Sequence, residues 1–134
     1  NMTDQNPKRI LAELETLVMK QIWKRGKATV HEVRETLKSR RKLAYTTILT
    51  TMRNLERKGF LSHERDGRSH VYIPTVPEKE VERNTLRNIL NGLFDGSRVR
   101  LVNALFEDET LTEEEFNTIR ASILDYHQQE AKHE

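Results

Sequence analysis

The sequence predicts a mainly α-helical protein with one small β-hairpin. Hydrophobic residues recur at helical spacing through most of its 134 residues. The period changes to two around Asp66-Gly67, a dipeptide that favours a tight hairpin turn. The chain has no cysteine and only 6% aromatic residues, which predicts an aliphatic core without disulfide bonds or thiolate metal sites.

The two halves of the chain carry opposite charge. Residues 1–77 hold 16 Lys and Arg against 8 Asp and Glu, a balance of +8. Residues 78–134 hold 7 against 13, a balance of −6, which brings the whole chain to +2. This asymmetry predicts a module that binds a polyanion, joined to a region with another task. No apolar run reaches the roughly 18 residues of a membrane span, so we expect no membrane partner. The absence of cysteine fits a reducing cytoplasm.

Three helices are predicted in the basic half. The first runs over about residues 8–25 and ends at a glycine. The string Thr29-Val-His-Glu32 has the form of a capping box and begins a short second helix. A basic connection over residues 38–42 leads to the third helix, predicted over residues 43–58 and again closed by a glycine.

A β-hairpin is predicted next, with Asp66-Gly67 as its two-residue loop. A type I′ turn at that dipeptide would place Arg65 opposite Arg68 and His63 opposite His70. Two arginines at the tip of a hairpin suit contact with phosphates. A turn that serves only solubility is the alternative interpretation.

The order helix–helix–helix–hairpin is that of a winged helix-turn-helix domain. In this fold the third helix enters the major groove of DNA and the hairpin lies over the neighbouring backbone. One side of the predicted third helix is apolar, and the opposite side carries Thr46, Thr50, Arg53 and Arg57. Hydroxyl groups can bind phosphates or base edges, and a guanidinium can bind guanine with two hydrogen bonds.

The acidic half is predicted to contain three further helices, the last of them begun by a second capping box, Thr112-Glu-Glu-Glu115. Three short helices bury too little surface to be stable alone. We therefore expect them to complete their core against a second copy of the chain; packing back onto the basic half is the alternative. This reasoning gives a DNA-binding domain over residues 8–76 and a helical dimerisation region over residues 77–130.

The sequence contains no catalytic motif. It has neither a Gly-x-Ser-x-Gly elbow nor a glycine-rich phosphate loop, so we expect no enzyme activity, no catalytic residue and no cofactor. His63 and His70 are predicted neighbours, but two histidines lack the remaining ligands of a metal site. No metal site is therefore predicted.

Four strings in the basic half are characteristic when they are taken together. They are Glu15-x-x-Val18-Met19-x-x-x-Trp23, Ala44-Tyr-Thr-Thr-Ile-Leu-Thr-Thr-Met52, Leu55-x-x-Lys58-Gly59 and Arg68-x-x-x-Tyr72-x-Pro74. They resemble the penicillinase repressor family, which contains the beta-lactamase, methicillin-resistance and copper-responsive repressors. The resemblance covers about residues 10–76 well and the remainder more loosely.

This resemblance implies a homodimeric winged-helix repressor of double-stranded operator DNA. In the family the operator is a palindrome built around TACA and TGTA elements, and the C-terminal helices hold the dimer together. The DNA-binding residues that the resemblance implies are Lys42, Thr46, Thr47, Thr50, Arg53 and Arg57, with Arg65 and Arg68 on the hairpin. A winged-helix module that binds only another protein is the alternative, which the basic connection and the hairpin arginines disfavour.

The resemblance also bears on how such a repressor is released. Copper-responsive members carry C-terminal Cys-x-Cys motifs, and this chain has no cysteine, which rules out thiolate copper sensing and disfavours that branch. Beta-lactam-responsive members are cut by a regulatory protease in the C-terminal part, usually at an Asn-Phe bond. Alignment places Ala104-Leu105 at that bond, but the chain has Asn103 one position early and no Asn-Phe pair.

Overall fold

The fold is mainly helical with one hairpin, as predicted. The structure, a computed structural model, describes residues 11–108 and 110–132. In chain order the elements are α1 (Glu13–Arg25), α2 (Val30–Leu37), α3 (Tyr45–Lys58), β1 (Leu61–Asp66), β2 (Ser69–Pro74), α4 (Glu78–Gly92), α5 (Arg98–Asp108) and α6 (Glu113–Lys132). None of the helices in the described ranges is long and apolar enough to cross a membrane.

The first helix begins later than its sequence pattern predicts. Helix α1 starts at Glu13, whereas the predicted residues 8–10 lie outside the described residues. The Glu15 side chain accepts a hydrogen bond from the backbone N–H of Ala12 at 2.9 Å, and Ala12 is itself extended. This bond satisfies a donor that the helix leaves free and fixes its first turn.

The capping box of α2 is confirmed. The Thr29 hydroxyl accepts from the backbone N–H of Glu32 at 3.1 Å, and the Glu32 carboxylate accepts from the backbone N–H of Thr29 at 2.9 Å. That backbone N–H, helped by the charge of Arg25, holds the pKa of Glu32 below its usual value. The short loop after α1 therefore leads directly into a capped helix.

The core lies between α1, α2, α3 and the base of the hairpin. Its buried residues are Val18, Met19, Ile22, Ala28, Val30, Val33, Leu37, Ile48, Met52, Leu55, Phe60, Leu61 and Tyr72. Each of the three helices contributes the apolar side that its spacing predicts. Trp23 packs against this cluster, and its indole N–H donates to the carbonyl of Val76 at 2.9 Å.

The hairpin has a different register from the predicted one. Asp66 pairs with Ser69, so the two loop residues are Gly67 and Arg68. Gly67 has a φ of +63°, while Arg68 keeps a negative φ, which is the pattern of a type II′ turn. The predicted type I′ turn at Asp66-Gly67 was therefore wrong, because glycine takes the first loop position instead of the second.

The base of the hairpin is tied to the helical core. Tyr72 and Ala28, which lies between α1 and α2, exchange two backbone hydrogen bonds of 2.8 and 2.9 Å. Only Gly59 and Phe60 separate α3 from β1, and the Thr75 hydroxyl donates to the carbonyl of Gly59 at 2.6 Å. Both strands of the hairpin are thus held at its base, next to the C-terminal end of α3.

The chain divides into two compact units, Asn1–Asn88 and Ile89–Glu134. No described residue of the second unit is buried. Its exposed large apolar side chains are Ile89, Leu93, Val99, Val102, Leu105, Phe106, Phe116, Ile119, Ile123, Leu124 and Tyr126. Its last helix begins with the predicted capping box, because Thr112 and Glu115 exchange hydrogen bonds of 3.0 and 3.1 Å.

Candidate nucleic-acid interface

Helix α3 has one buried side and one exposed side. Ile48, Met52 and Leu55 are fully buried, and they anchor the helix to the core. Thr51 is buried as well, and its hydroxyl donates to the carbonyl of Thr47 at 2.8 Å. The opposite side of the helix is therefore presented to solvent.

All eight side chains that the sequence assigned to DNA binding are exposed. They are Lys42, Thr46, Thr47, Thr50, Arg53, Arg57, Arg65 and Arg68. Within α3, the spacings of four, three and four residues from Thr46 to Arg57 place four of them along one side. The Arg57 guanidinium donates to the side-chain oxygen of Asn54, which holds it close to the helix.

Lys42 lines a basic recess formed by residues that precede α3 in the chain. The recess has a volume of about 520 Å³ and is lined by Arg34, Glu35, Lys38, Lys42, Leu43 and Ala44. The Arg34 Nε donates to the carbonyl of Leu43 at 3.2 Å, which fixes the connection before the helix. The backbone N–H groups at the start of α3 lack a side-chain cap, since Ala44 precedes them.

The two hairpin arginines do not face each other, contrary to the prediction. Arg65 lies on β1 opposite His70, whereas Arg68 is the second loop residue. Arg65 therefore shares one face of the hairpin with His63, while Arg68 stands at its tip. Both guanidinium groups remain exposed.

A cluster between the hairpin and α3 was not predicted. His63 Nδ1 lies 2.8 and 2.9 Å from the two carboxylate oxygens of Glu56. The rings of His63 and His70 are stacked, with centroids 4.3 Å apart and planes 13° apart. Tyr72 lies beside them; burial, followed by the Glu56 charge, raises the pKa of its hydroxyl, and the Arg53 charge opposes this.

The end of α3 is held to the start of α1 by a second unpredicted contact. Lys58 Nζ lies 2.7 and 2.8 Å from the two carboxylate oxygens of Glu15, which is largely buried. Both residues belong to the strings that carry the family resemblance. Their pairing depends on how α1 and α3 pack, so spacing along the sequence does not reveal it.

The described residues do not form a metal site. No three His, Asp or Glu side chains among them gather closely enough to hold a metal ion. His63 and His70 are stacked ring on ring, and this arrangement aligns their faces instead of directing two nitrogens at one point. The aligned bond Ala104-Leu105 lies within α5, where Leu105 is exposed.

Comparison with known proteins identifies related chains. The family model for the penicillinase repressor matches residues 11–125. The penicillinase repressor of Bacillus licheniformis is 33% identical over 121 residues, which cover 90% of this chain and 92% of that protein. The methicillin resistance regulatory protein MecI of Mammaliicoccus sciuri is 27% identical over 110 residues, which cover 82% and 89%. A MarR family protein from Bacillus stearothermophilus shares the fold, with a TM-score of 0.50 and 18% identity over 97% of this chain and 79% of that one.

Proposed function

Since the chain belongs to the penicillinase repressor family, we propose that it is a dimeric, sequence-specific DNA-binding repressor. The family consists of transcriptional regulators and not of enzymes. In this proposal the protein binds a palindromic double-stranded operator of the TACA/TGTA type, and it acts in the cytoplasm. Residues 8–76 form the DNA-binding domain in this proposal, and residues 77–130 form the dimerisation region.

The observation that carries the proposal is the exposed side of α3. Thr46 and Thr50 give it short hydrogen-bonding side chains, which allow the helix backbone to approach a groove closely. Arg53 follows on the same side and is long enough to reach a base edge. The buried apolar side of the helix keeps this surface in a fixed orientation.

The hairpin and the connection before α3 supply phosphate contacts. Arg65, Arg68 and Lys42 are exposed and carry positive charge beside the helix. Contacts of this kind set the position of the protein on the duplex but do not read its sequence. They also make affinity depend on salt, because each neutralised phosphate releases counterions.

A second copy of the chain covers the apolar side chains of the second unit. None of the described residues of this unit is buried, and most of its large apolar side chains are exposed. A large exposed apolar surface marks an interface in a water-soluble protein. A dimer buries that surface and brings two DNA-binding domains to the two halves of a palindrome. The second half-site is then bound intramolecularly, which raises affinity without any new contact.

Release follows from loss of the dimer. Any event that disrupts the dimerisation region separates the two half-sites and weakens operator binding. Cleavage by a regulatory protease at Ala104-Leu105 is one such event. Because this bond lies within α5, the helix has to open locally before an extended peptide can enter a protease.

A gel-shift series tests the proposal. A palindromic TACA/TGTA duplex and a scrambled duplex are titrated with wild-type protein at several salt concentrations. We expect Arg53→Ala to weaken binding to the palindrome by roughly 1–3 kcal/mol and to change binding to scrambled DNA less. Arg68→Ala should weaken binding to both duplexes and lower the salt slope by about one phosphate.

A matched variant controls for simple loss of charge. Arg87 on α4 donates to the side chain of Asn84 at 3.1 Å, as Arg57 does to Asn54 on α3. Arg87→Ala removes one positive charge outside the proposed surface and should leave the preference for the palindrome unchanged. Equal affinity of the wild type for both duplexes would refute sequence-specific binding, whereas no binding to either duplex would favour a protein-binding module instead.

A further inference from the structure

One face of the hairpin carries a cluster of titratable side chains against α3. His63 and Arg65 on β1, together with His70 and Tyr72 on β2, share this face, since His63 pairs with Tyr72 and Arg65 pairs with His70. The His63 ring stacks on His70 and lies 5.6 Å from the Tyr72 ring. The carboxylate of Glu56 on α3 lies within hydrogen-bond distance of His63 Nδ1 on β1.

Glu56 is unusual for its position. It is the one carboxylate of α3, in a helix that otherwise carries Arg53, Arg57 and Lys58 near its end. It is about one-third exposed, so its charge is not hidden by burial. Next to a phosphate backbone a carboxylate repels the ligand that its neighbours attract. A partner that supplies positive charge removes this penalty.

We propose that Glu56 and His63 form a proton-dependent positioning pair, which holds the hairpin against α3 and neutralises the helix's carboxylate when DNA binds. The pair rests on the proposed DNA-binding function and adds a regulation to that surface. Its geometry suits both functions. The imidazole nitrogen lies within hydrogen-bond distance of both carboxylate oxygens, and this contact joins α3 to β1 across the Gly59-Phe60 connection.

The proton state of the imidazole decides the charge of the pair. Imidazole groups exchange protons between about pH 5 and 8. With a proton on both ring nitrogens of His63, the pair is neutral overall; with a neutral ring, the hydrogen bond persists but a full negative charge remains. DNA binding therefore takes up a proton, and affinity falls as the pH rises.

The surrounding groups limit this response to about one proton. His70 stacks on His63, and two charged rings in that arrangement repel each other. Arg53 and Arg65 place two further guanidinium groups on this surface. Tyr72 stays neutral, because its raised pKa moves ionisation further from neutral pH. The negative group that selects His63 over His70 is Glu56, which contacts His63 directly.

Five variants of the chain test the pair. Affinity for the palindromic duplex is measured between pH 6 and pH 8 at constant ionic strength. Wild-type affinity should fall about two- to fivefold over this range, the size of an exposed charge interaction. His63→Gln should bind at every pH as weakly as the wild type does at pH 8. His63→Lys and Glu56→Gln should bind at every pH at least as tightly as the wild type does at pH 6. His31→Gln, which removes an exposed imidazole from α2, should retain the wild-type profile.

The outcomes separate this inference from the function on which it rests. A wild type that binds the palindrome, with an identical pH profile in His63→Gln and Glu56→Gln, overturns the pair and leaves the repressor function intact. A profile abolished by His70→Gln but kept in His63→Gln assigns the proton to the other ring and also overturns it. A wild type that prefers no duplex at any pH removes the function and the pair together. If His63→Gln loses its circular-dichroism spectrum, Glu56→Gln and His63→Lys decide the question.

Discussion

The two units of this chain are built from similar helices but hold them together differently. In the first unit, α1, α2, α3 and the hairpin enclose thirteen buried apolar residues. In the second unit, helices of comparable length bury none of their described residues. Apolar spacing is present in both, so amphipathic sequence alone does not make a core. The first unit buries its apolar side chains within one chain, whereas the second leaves large apolar side chains exposed.

The largest expected effect is on the core of the first unit. Leu55 is fully buried, and Leu55→Ala should lower the free energy of unfolding by about 2–5 kcal/mol through lost contacts and a residual cavity. Leu105 is 65% exposed in the second unit, so Leu105→Ala should leave the stability of the first unit unchanged and is the matched control. Urea unfolding followed by circular dichroism measures both. Equal losses for the two leucines would contradict the distinction between the units.

The next largest effect is on assembly. Ile123 is 60% exposed on α6, and Ile123→Asp places a charge in the surface that we assign to the dimer. Sedimentation should show monomers, and operator affinity should fall about a hundredfold because the second half-site is no longer bound intramolecularly. Ser122→Asp introduces the same charge at the adjacent exposed position and should remain dimeric. A dimeric Ile123→Asp protein with wild-type affinity would move the interface elsewhere.

A smaller effect compares two equivalent capping boxes. Thr29 begins α2 in the first unit and Thr112 begins α6 in the second, each with the same pair of hydrogen bonds. Thr29→Ala should cost about 1 kcal/mol of unfolding free energy, because α2 is part of a packed core. Thr112→Ala should mainly speed amide exchange in the first turn of α6. Comparable global losses in both variants would show that α6 belongs to an equally cooperative core.

The smallest effect is a pH dependence of the first unit. Burial and the Glu56 charge raise the pKa of Tyr72, so the folded protein keeps a proton that the unfolded chain releases. The resulting stability is present below the ordinary tyrosine pKa near 10 and is lost as the pH rises through the folded value. Melting temperatures between pH 8 and 11 should therefore fall less in Tyr72→Phe than in wild type. Tyr126→Phe, at an exposed position of the second unit, should melt as the wild type does.

The helices could be predicted from the sequence because their signals are local. Both capping boxes, the glycine that ends α3 and the apolar side of each helix depend on residues three or four positions apart. The start of α1 was harder to predict. It depends on a hydrogen bond from the backbone N–H of Ala12 to the Glu15 carboxylate, and Ala12 has no capping side chain. Exposure of Thr46, Thr50, Arg53 and Arg57 followed from the same periodicity, whereas the other DNA-binding residues came from the family resemblance. Their contacts with DNA stay predictions.

The hairpin register shows why the remainder was not predictable. Moving the loop from Asp66-Gly67 to Gly67-Arg68 changes each partner by two residues. A change of two leaves every side chain on the same face of the sheet, so apolar alternation cannot distinguish the two registers. The contacts of Glu56 with His63 and of Glu15 with Lys58 join residues that only the packing of α3 brings together.

Trp23 gives the molecule a built-in optical probe. It is the single tryptophan of the chain, and its indole N–H is bonded to the carbonyl of Val76, where the chain leaves the hairpin. Indole emission excited at the red edge of protein absorption therefore comes from the first unit alone. Quenching or a spectral shift will report rearrangement at the exit of the hairpin, without interference from the tyrosine of α6.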